Sequence, residues 1–192
     1  KKLLLFLIAF FLVLPLFSQD ENEARTIFDK DITYVSGFGG PMMNFSTFDK
    51  NFAFFMGGGG AVLFNHKFYF GGMGYGMTSL IEVSASKYAE MGLNSDDNYN
   101  LSFGYGGLWA GYVLGWKSPV HANVSLFSGW GGVSVLQENV YENYLPSDEV
   151  FVFVPSAEIE LNMTQFLRIG IGANYRYVAG TNLIGYKNSD FS

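Results

Sequence analysis

The stretch LRIGIGANYRYVA, residues 167–179, has the alternation that decides the fold. Its odd-numbered positions are mostly apolar or aromatic: Leu167, Ile169, Ile171, Ala173, Tyr175, Tyr177 and Ala179. Its even-numbered positions are mostly small, polar or charged: Arg168, Gly170, Gly172, Asn174, Arg176 and Val178. Because successive side chains of a β-strand point to opposite faces of a sheet, one face suits hydrocarbon and the other suits a polar interior. The stretch therefore predicts a strand with an apolar outer face.

Six preceding segments are interpreted in the same way, with apolar residues outward and small or polar residues inward. They run over about 32–45, 52–64, 68–83, 99–115, 120–135 and 151–164. In the segment 99–115 the apolar side chains predicted to point outward are Tyr99, Leu101, Phe103, Tyr105, Trp109 and Val113. In the first segment Pro41 lacks the N–H of a ladder hydrogen bond, so a bulge or break is expected there. A full break would make this segment two strands.

Short and long connections alternate along these predicted strands. Tight turns are expected at residues 65–67, 117–119 and 164–166, and longer polar loops at 46–51, 84–98 and 137–150. Outer-membrane barrels have short periplasmic turns and longer outer loops. The predicted fold is therefore all-β, an antiparallel up-and-down transmembrane β-barrel over residues 32–192. Such barrels have an even number of strands, so an eighth strand is expected beyond Ser192.

Composition favours a barrel over other folds. Of the 192 residues 18% are aromatic, 24 are glycine and only 15% are charged, whereas a soluble domain has roughly 25% charged residues. No internal run approaches the roughly 20 apolar residues that a membrane helix needs. A soluble β-sandwich is the alternative, because its strands also alternate apolar and polar residues.

The N-terminus has the features of a secretory signal. Lys1 and Lys2 precede the apolar run 3–17, and cleavage is expected near residues 18–19. Residues 1–19 are therefore interpreted as a signal peptide, with an uncleaved anchor as the alternative, and the polar residues 20–31 as a periplasmic lead-in. The chain has no cysteine, which excludes a lipoprotein anchor, disulfides and thiolate metal sites.

The net charge of the chain is acidic. It is −6 for the whole sequence and becomes −8 without residues 1–19, because two lysines leave and no acid does. Nucleic-acid binding needs a basic patch. Nucleic acid is therefore not expected as a partner.

Polar side chains on the inner faces of the last three segments are the strongest candidates for a site. The predicted lumen polar cluster comprises His121, Glu158, Glu160, Asn174, Arg168 and Arg176. Because a tight turn joins segments 151–164 and 167–179, Glu160 is expected close to Arg168 on a diagonal. Buried charges persist only when they are paired, so the cluster is interpreted as a plug of ion pairs and amides that fills a small barrel. The alternative is a narrow ion-selective pore lined by the same charges.

No catalytic, cofactor or metal site is predicted. His121 and Ser125 share a face, but a catalytic role needs nucleophile, base and orienter to meet in space. The glycine runs 37–40 and 57–60 precede no helical pattern, which a phosphate-binding loop requires. Acidic residues of the loops, such as those of NSDDN at 94–98, are interpreted as a solvated rim, with a divalent-cation site as the alternative.

Aromatic residues of the predicted strands fit girdles at the two interfaces of a membrane. The residues assigned to these girdles are Tyr99, Trp109, Trp116, Trp130, Tyr175 and Tyr177. They are interpreted as anchors and not as a ligand cage.

With these patterns the chain resembles the small eight-stranded outer-membrane β-barrels of Gram-negative bacteria, the group around outer membrane proteins A, X and W. Its Phe- and Gly-rich strands and the residues LPLFSQ at 14–19 are most similar to Bacteroidota members. The resemblance covers about residues 32–192 and matches no functional motif. It implies an outer-membrane location, reached by a signal peptide, and transfers no functional residue.

The function implied by the resemblance is a structural or surface-interaction role in the cell envelope, without enzyme activity. The expected partners are outer-membrane lipid and, through the outer loops, envelope or host proteins. A small porin-like passive pore is the alternative, and a membrane-embedded lipid-modifying enzyme is the third candidate.

Overall fold

Nine β-strands form one antiparallel sheet in the part of the chain that the structure describes. This structure is a computed structural model, and it describes residues 32–48, 50–137, 146–164, 166–183 and 185–192. The predicted signal peptide and lead-in, and residues 138–145 of the third predicted loop, lie outside the described residues. The strands are β1 Val35–Phe48, β2 Asn51–Phe64, β3 Phe68–Met77, β4 Ile81–Glu82, β5 Tyr99–Leu114, β6 Val120–Gln137, β7 Ser147–Asn162, β8 Arg168–Asn174 and β9 Tyr177–Ala179.

The sheet is an up-and-down meander. Its strand order is β1-β2-β3-β5-β6-β7-β8, while β4 pairs with β5 and β9 pairs with β7. The predicted all-β antiparallel fold is confirmed, and the sheet curls into a half-barrel. Helical structure is limited to α1, Tyr88–Met91, and two short 3-10 turns among the described residues. None of the helices within these ranges has the length and hydropathy to cross a bilayer.

The two ends of the half-barrel differ. The end with the short connections at 65–67, 115–119 and 163–167 is called the turn end, and the opposite end is called the loop end. The predicted tight turns at 65–67 and 117–119 are confirmed. In the third, Gln165 lies outside the described residues, and the amide of Met163 donates to the carbonyl of Leu167 at 3.0 Å. At the loop end the predicted polar loop 46–51 is wrong, because β1 continues to Phe48, which pairs with Asn51 at the start of β2. Lys50, between these two strands, has φ 65°. Because this connection is short, strict alternation of short and long connections does not hold.

Each long strand has one inner and one outer face, but β5 is turned over relative to the prediction. Its residues Tyr99, Phe103 and Trp109 are buried in the interior, and Gly104 and Gly106 lie on the outer face. The predicted outward direction of the aromatic face of β5 is therefore wrong. Both faces of this strand lack charge, so alternation alone cannot choose between them. The predicted faces of β6 and β7 agree with the observed burial. In β8 every residue after Arg168 is exposed, so burial does not distinguish its two faces.

The interior at the loop end is an apolar core. Phe48, Phe55, Phe103 and Phe127 are at most 1% exposed and pack with valines of β6 and β7. The segment 183–191 and α1 cover this core, contributing Leu183, Tyr186, Phe191 and Met91. A second, smaller cluster at the turn end contains Leu63, Tyr69, Trp109 and Val113.

Pro41 causes no break in β1. The amide of Asn65 donates to the carbonyl of Tyr34 at 2.9 Å, and such hydrogen-bonded pairs recur at every second residue. The even-numbered residues of β1 therefore bond to β2, and Pro41 falls where its missing N–H would face the open edge of the sheet. The predicted bulge, and the reading of this segment as two strands, are wrong.

A proline in β7 does interrupt the last strand. The amide of Tyr175 donates to the carbonyl of Pro155 at 3.1 Å, but Pro155 has no N–H for the return bond. The ladder stops at residues 175–176 and resumes in β9 with the same register. The predicted single strand 167–179 is therefore two short strands in one line.

Candidate functional site

The acceptor at the centre of the interior polar network is Glu160, on the inner face of β7. Its Oε2 lies 2.9 Å from Nε2 of His121 and 2.9 Å from Nη1 of Arg168. Its Oε1 accepts a hydrogen bond of 3.0 Å from Nδ2 of Asn123. The predicted diagonal contact between Glu160 and Arg168 is confirmed. Three donors from β6 and β8 therefore hold one buried carboxylate.

The sheet register makes room for the two inward carboxylates of β7. Gly170 pairs with Glu160 and Gly172 pairs with Glu158 across the β7–β8 ladder. A Cβ atom at Gly170 would lie 3.3 Å from Cγ of Glu160, and one at Gly172 would overlap the side chain of Glu158. Gly172 is therefore required next to Glu158, whereas a side chain at Gly170 would only be tight against Glu160.

His121 is held through one ring nitrogen. A carboxylate only accepts hydrogen bonds, so Nε2 of His121 must carry the proton in the contact with Glu160. The other nitrogen, Nδ1, is buried and has no hydrogen-bond partner within the described ranges. The ring therefore acts here as a donor to Glu160.

The network continues along the inner faces of β3, β6 and β7. The hydroxyl of Tyr69 donates to Oδ1 of Asn123 at 3.1 Å. Further along β6, the hydroxyls of Ser125 and Ser156 lie 2.5 Å apart. Asn162 accepts from Nε of Arg168 at 3.1 Å, which fixes the guanidinium at the turn end.

The remaining members of the predicted cluster lie apart from Glu160. Asn174 exchanges amide hydrogen bonds with Asn44 of β1. Arg176 lies between β8 and β9, where Nε donates to the carbonyl of Phe191 at 2.6 Å and Nη2 to that of Thr47 at 3.1 Å. Five members of the predicted cluster thus fall into three groups: the Glu160 network, the asparagine pair and Arg176. The sixth, Glu158, lies on the inner face of β7 opposite Gly172 and is in none of these hydrogen bonds.

Arg176 is a buried cation that aromatic rings surround. Its guanidinium carbon lies 4.7 Å from the ring centre of Phe55 and 5.3 Å from that of Phe103. Aromatic faces attract cations, most strongly where water is excluded. Thr47 belongs to the edge strand β1, so Arg176 also satisfies a carbonyl of that edge.

The arrangement does not form a nucleophile–base pair. Ser125 bonds to Ser156, and the bonded nitrogen of His121 faces Glu160, so no Ser–His hydrogen bond occurs among the described residues. The same ranges contain no group of three His, Cys, Asp or Glu side chains that could hold a metal ion. Chemically, the network can pair charges and exclude water from the interior of the turn end.

The outer face of the half-barrel carries almost no charge. On the outer faces of the nine described strands only Glu82 and Glu149 are charged, and both lie near the loop end. Large apolar side chains are exposed there instead, among them Phe45, Phe52, Phe70, Leu108, Leu126, Trp130, Ile159 and Ile171. A soluble domain rarely exposes so extended an apolar surface.

Only some of the aromatic residues assigned to the predicted girdles lie on the outer face. Trp130, Tyr175 and Tyr177 are exposed on the outer face, as predicted. Tyr99 and Trp109 are buried inside, so their assignment to a girdle is wrong. Trp116 lies in a turn at the turn end, where its ring stacks on His66 at 4.5 Å between centroids.

Sequence reasoning missed two contributors to these groups. Asn123 and Asn44 both point inward, and both were left out of the predicted cluster. For Asn44 the signal was present, because it is a lone amide between Met43 and Phe45 in an alternating strand. Its partner Asn174 is 130 residues away, and no local pattern could have supplied that pairing.

Comparison of the chain with protein-family models, with curated proteins and with solved structures gave no match.

Proposed function

We propose that this chain is a small outer-membrane β-barrel protein with a structural or surface-interaction role, in which the loop end faces outward. The observation that carries the proposal is the uncharged, apolar outer face of the described strands. In the hydrocarbon of a bilayer every backbone polar group must be bonded within the protein. The described antiparallel sheet meets this need between its neighbouring strands, and closure into a barrel would also pair the edge strands β1 and β8.

The filled interior supports a structural role over a pore. The Phe48–Phe103 pair and Phe127 occupy the interior toward the loop end, where a channel would have to pass. The chain segment with Leu183 and Phe191 packs on the same core. A small passive pore is the weaker candidate, because ions would have to cross a dry aromatic layer.

The interaction role is assigned to the loop end because the loop-end surface is polar. The connection 78–98 contains α1 and the exposed acids Asp96 and Glu90, and the last residues 180–192 pack beside it. Lys87 lies over the ring of Tyr186 at 3.3 Å, which joins these two segments. A surface held in place by the barrel core is suited to contact envelope or host proteins.

Fractionation combined with heat-modifiability tests the proposal. The full chain is expressed in a Gram-negative host, and its outer-membrane fraction is run on SDS gels with and without boiling. We expect the protein in the outer membrane, with a mobility that shifts on boiling. A protein recovered in the periplasm without a shift would refute the membrane assignment and favour a secreted β-sandwich.

Planar-bilayer conductance tests the pore alternative. We expect no single-channel steps from the wild-type chain. The variant Phe103→Ala removes the ring between Phe48 and Phe55 and serves as a comparison. Steady wild-type conductance that Phe103→Ala does not change would contradict the filled interior and favour the pore.

A further inference from the structure

An open groove with a basic rim lies at the turn end of the sheet. It is lined by Lys67, Tyr112, Val113, Leu114, Gly115, Trp116 and Lys117. Lys67 precedes β3, and Lys117 lies in the turn between β5 and β6. The two lysines therefore come from neighbouring turns and frame one groove.

The floor of this groove is apolar and continues into the outer face. Tyr112 and Leu114 are exposed on the outer face of β5, and Phe68 pairs with Tyr112 across the β3–β5 ladder. An acyl chain that follows Leu114 toward the middle of the sheet would meet only apolar or small outer-face residues. The groove therefore combines a charged rim with an apolar track.

The two lysines are available to a ligand. Neither Lys67 nor Lys117 forms an ion pair within the part of the chain that the structure describes. No carboxylate lines the groove. The ammonium of Lys117 lies 5.5 Å from the ring centre of Trp116, an aromatic residue of the kind that anchors at membrane interfaces.

An aromatic stack lies beside the groove. The ring of His66 stacks on Tyr34 at 3.7 Å and on Trp116 at 4.5 Å between centroids. Oδ1 of Asn65 accepts from the amides of Thr33 and Tyr34, which ties the start of β1 to the same turn. The stack thus fixes the turn that carries Lys67 against the turn that carries Lys117.

We propose that this groove binds an anionic phospholipid, whose phosphate lies between Lys67 and Lys117 and whose acyl chain runs along Tyr112 and Leu114. The inference rests on the proposed membrane location, since the groove then lies at the inner boundary of the bilayer. Charge complementarity selects the anionic headgroup, because both lysines line the groove without an ion-pair partner among the described residues and no carboxylate lines it. The apolar track selects a lipid over a free phosphate ion.

Native mass spectrometry of the full chain in detergent micelles tests the proposal. The micelles contain equal amounts of phosphatidylglycerol and phosphatidylcholine, and the lipid retained on the folded protein is identified. The test variant is Lys67→Gln/Lys117→Gln. The matched control is Lys50→Gln/Lys187→Gln, which removes the same charge from exposed positions at the loop end. Heat-modifiability of each variant shows that it is folded.

We expect the wild type and the control to retain phosphatidylglycerol preferentially. In the test variant the ratio of retained phosphatidylglycerol to phosphatidylcholine should fall roughly 10- to 30-fold. Inorganic phosphate at millimolar concentration should not displace the lipid. Equal retention of both lipids by the wild type, an equal loss in the control, or displacement by phosphate would overturn the lipid site. A chain that is not heat-modifiable would instead contradict the proposed membrane function.

Discussion

Asn44 and Asn174 bond to each other across the open side of the half-barrel. Nδ2 of Asn44 donates to Oδ1 of Asn174 at 3.4 Å, and Nδ2 of Asn174 donates to Oδ1 of Asn44 at 3.3 Å. Asn44 belongs to β1 and Asn174 to β8, the two ends of the described strand order. The first and last strands are therefore close enough for their inner side chains to meet, although their backbones do not pair.

This contact predicts a cross-link. Because the chain has no cysteine, the variant Asn44→Cys/Asn174→Cys contains only the two introduced thiols. A short bifunctional thiol reagent should join them in the folded protein and give a faster-migrating band on a denaturing gel. The control Asn44→Cys/Ala173→Cys moves one thiol to the outer face of β8 and should react poorly. Equal cross-linking of both variants would contradict the curled arrangement of the sheet.

The Glu160 network predicts a large loss of stability when its acceptor is removed. Glu160→Ala leaves His121 and Arg168 buried or half-buried without their carboxylate. Breaking one partner of a buried pair lowers the free energy of unfolding by about 3–5 kcal/mol. Urea unfolding of the folded protein in micelles measures the change.

A surface acid of the same strand provides the control. Glu149 is exposed on β7, and Glu149→Ala should change the free energy of unfolding by less than about 0.5 kcal/mol. If Glu160→Ala and Glu149→Ala unfold at the same urea concentration, the network does not stabilise the fold.

At Gly57 two strands approach closely, so a side chain added there should destabilise the fold. A Cβ atom there would overlap the carbonyl oxygen of Gly74 and lie 2.8 Å from the ring of Tyr75. Gly57→Ala should therefore lower the free energy of unfolding by about 1–3 kcal/mol. At Gly40, on the inner face of β1, a Cβ atom meets nothing within 4 Å. Gly40→Ala should be neutral or slightly stabilising, and equal losses in urea unfolding would refute the close approach.

Replacing each of the two strand prolines by alanine should introduce amides with opposite hydrogen-exchange rates. Pro155→Ala supplies the N–H that faces the carbonyl of Tyr175, so the new amide should exchange slowly and the gap between β8 and β9 should narrow. Pro41→Ala supplies an N–H that faces the open edge, so it should exchange rapidly in micelles. Amide exchange followed by NMR checks both, and protection of residue 41 would show that the edge of β1 is paired.

Alternation predicts which residues share a face but not always which face is inside. In β6 and β7 the choice was possible because His121, Glu158 and Glu160 must avoid an apolar surface. In β5 neither face is charged, and the aromatic side chains of Phe103 and Trp109 are as suited to a dry core as to lipid. Their direction depends on the register with β3 and β6, which is a property of the whole sheet.

The candidate site was predictable where its contacts are local. Glu160 and Arg168 are joined by one tight turn, and strand pairing across that turn brings them together. His121 belongs to the next strand, and its contact with Glu160 follows from the register of β6 with β7. Arg176 was expected in the same cluster, but the break opposite Pro155 and the packing of Phe191 give it different partners.

The central claim is that the apolar outer face of the sheet contacts lipid, and site-directed spin labels measure this directly. Single cysteines replace Leu126 and Ile171, which are 51% and 79% exposed on the outer face, and Leu80 in a loop at the loop end serves as the control. In lipid vesicles the first two labels should be accessible to oxygen and shielded from a water-soluble nickel complex, whereas the label at residue 80 should be accessible to nickel. Equal nickel accessibility at all three positions would contradict the membrane assignment.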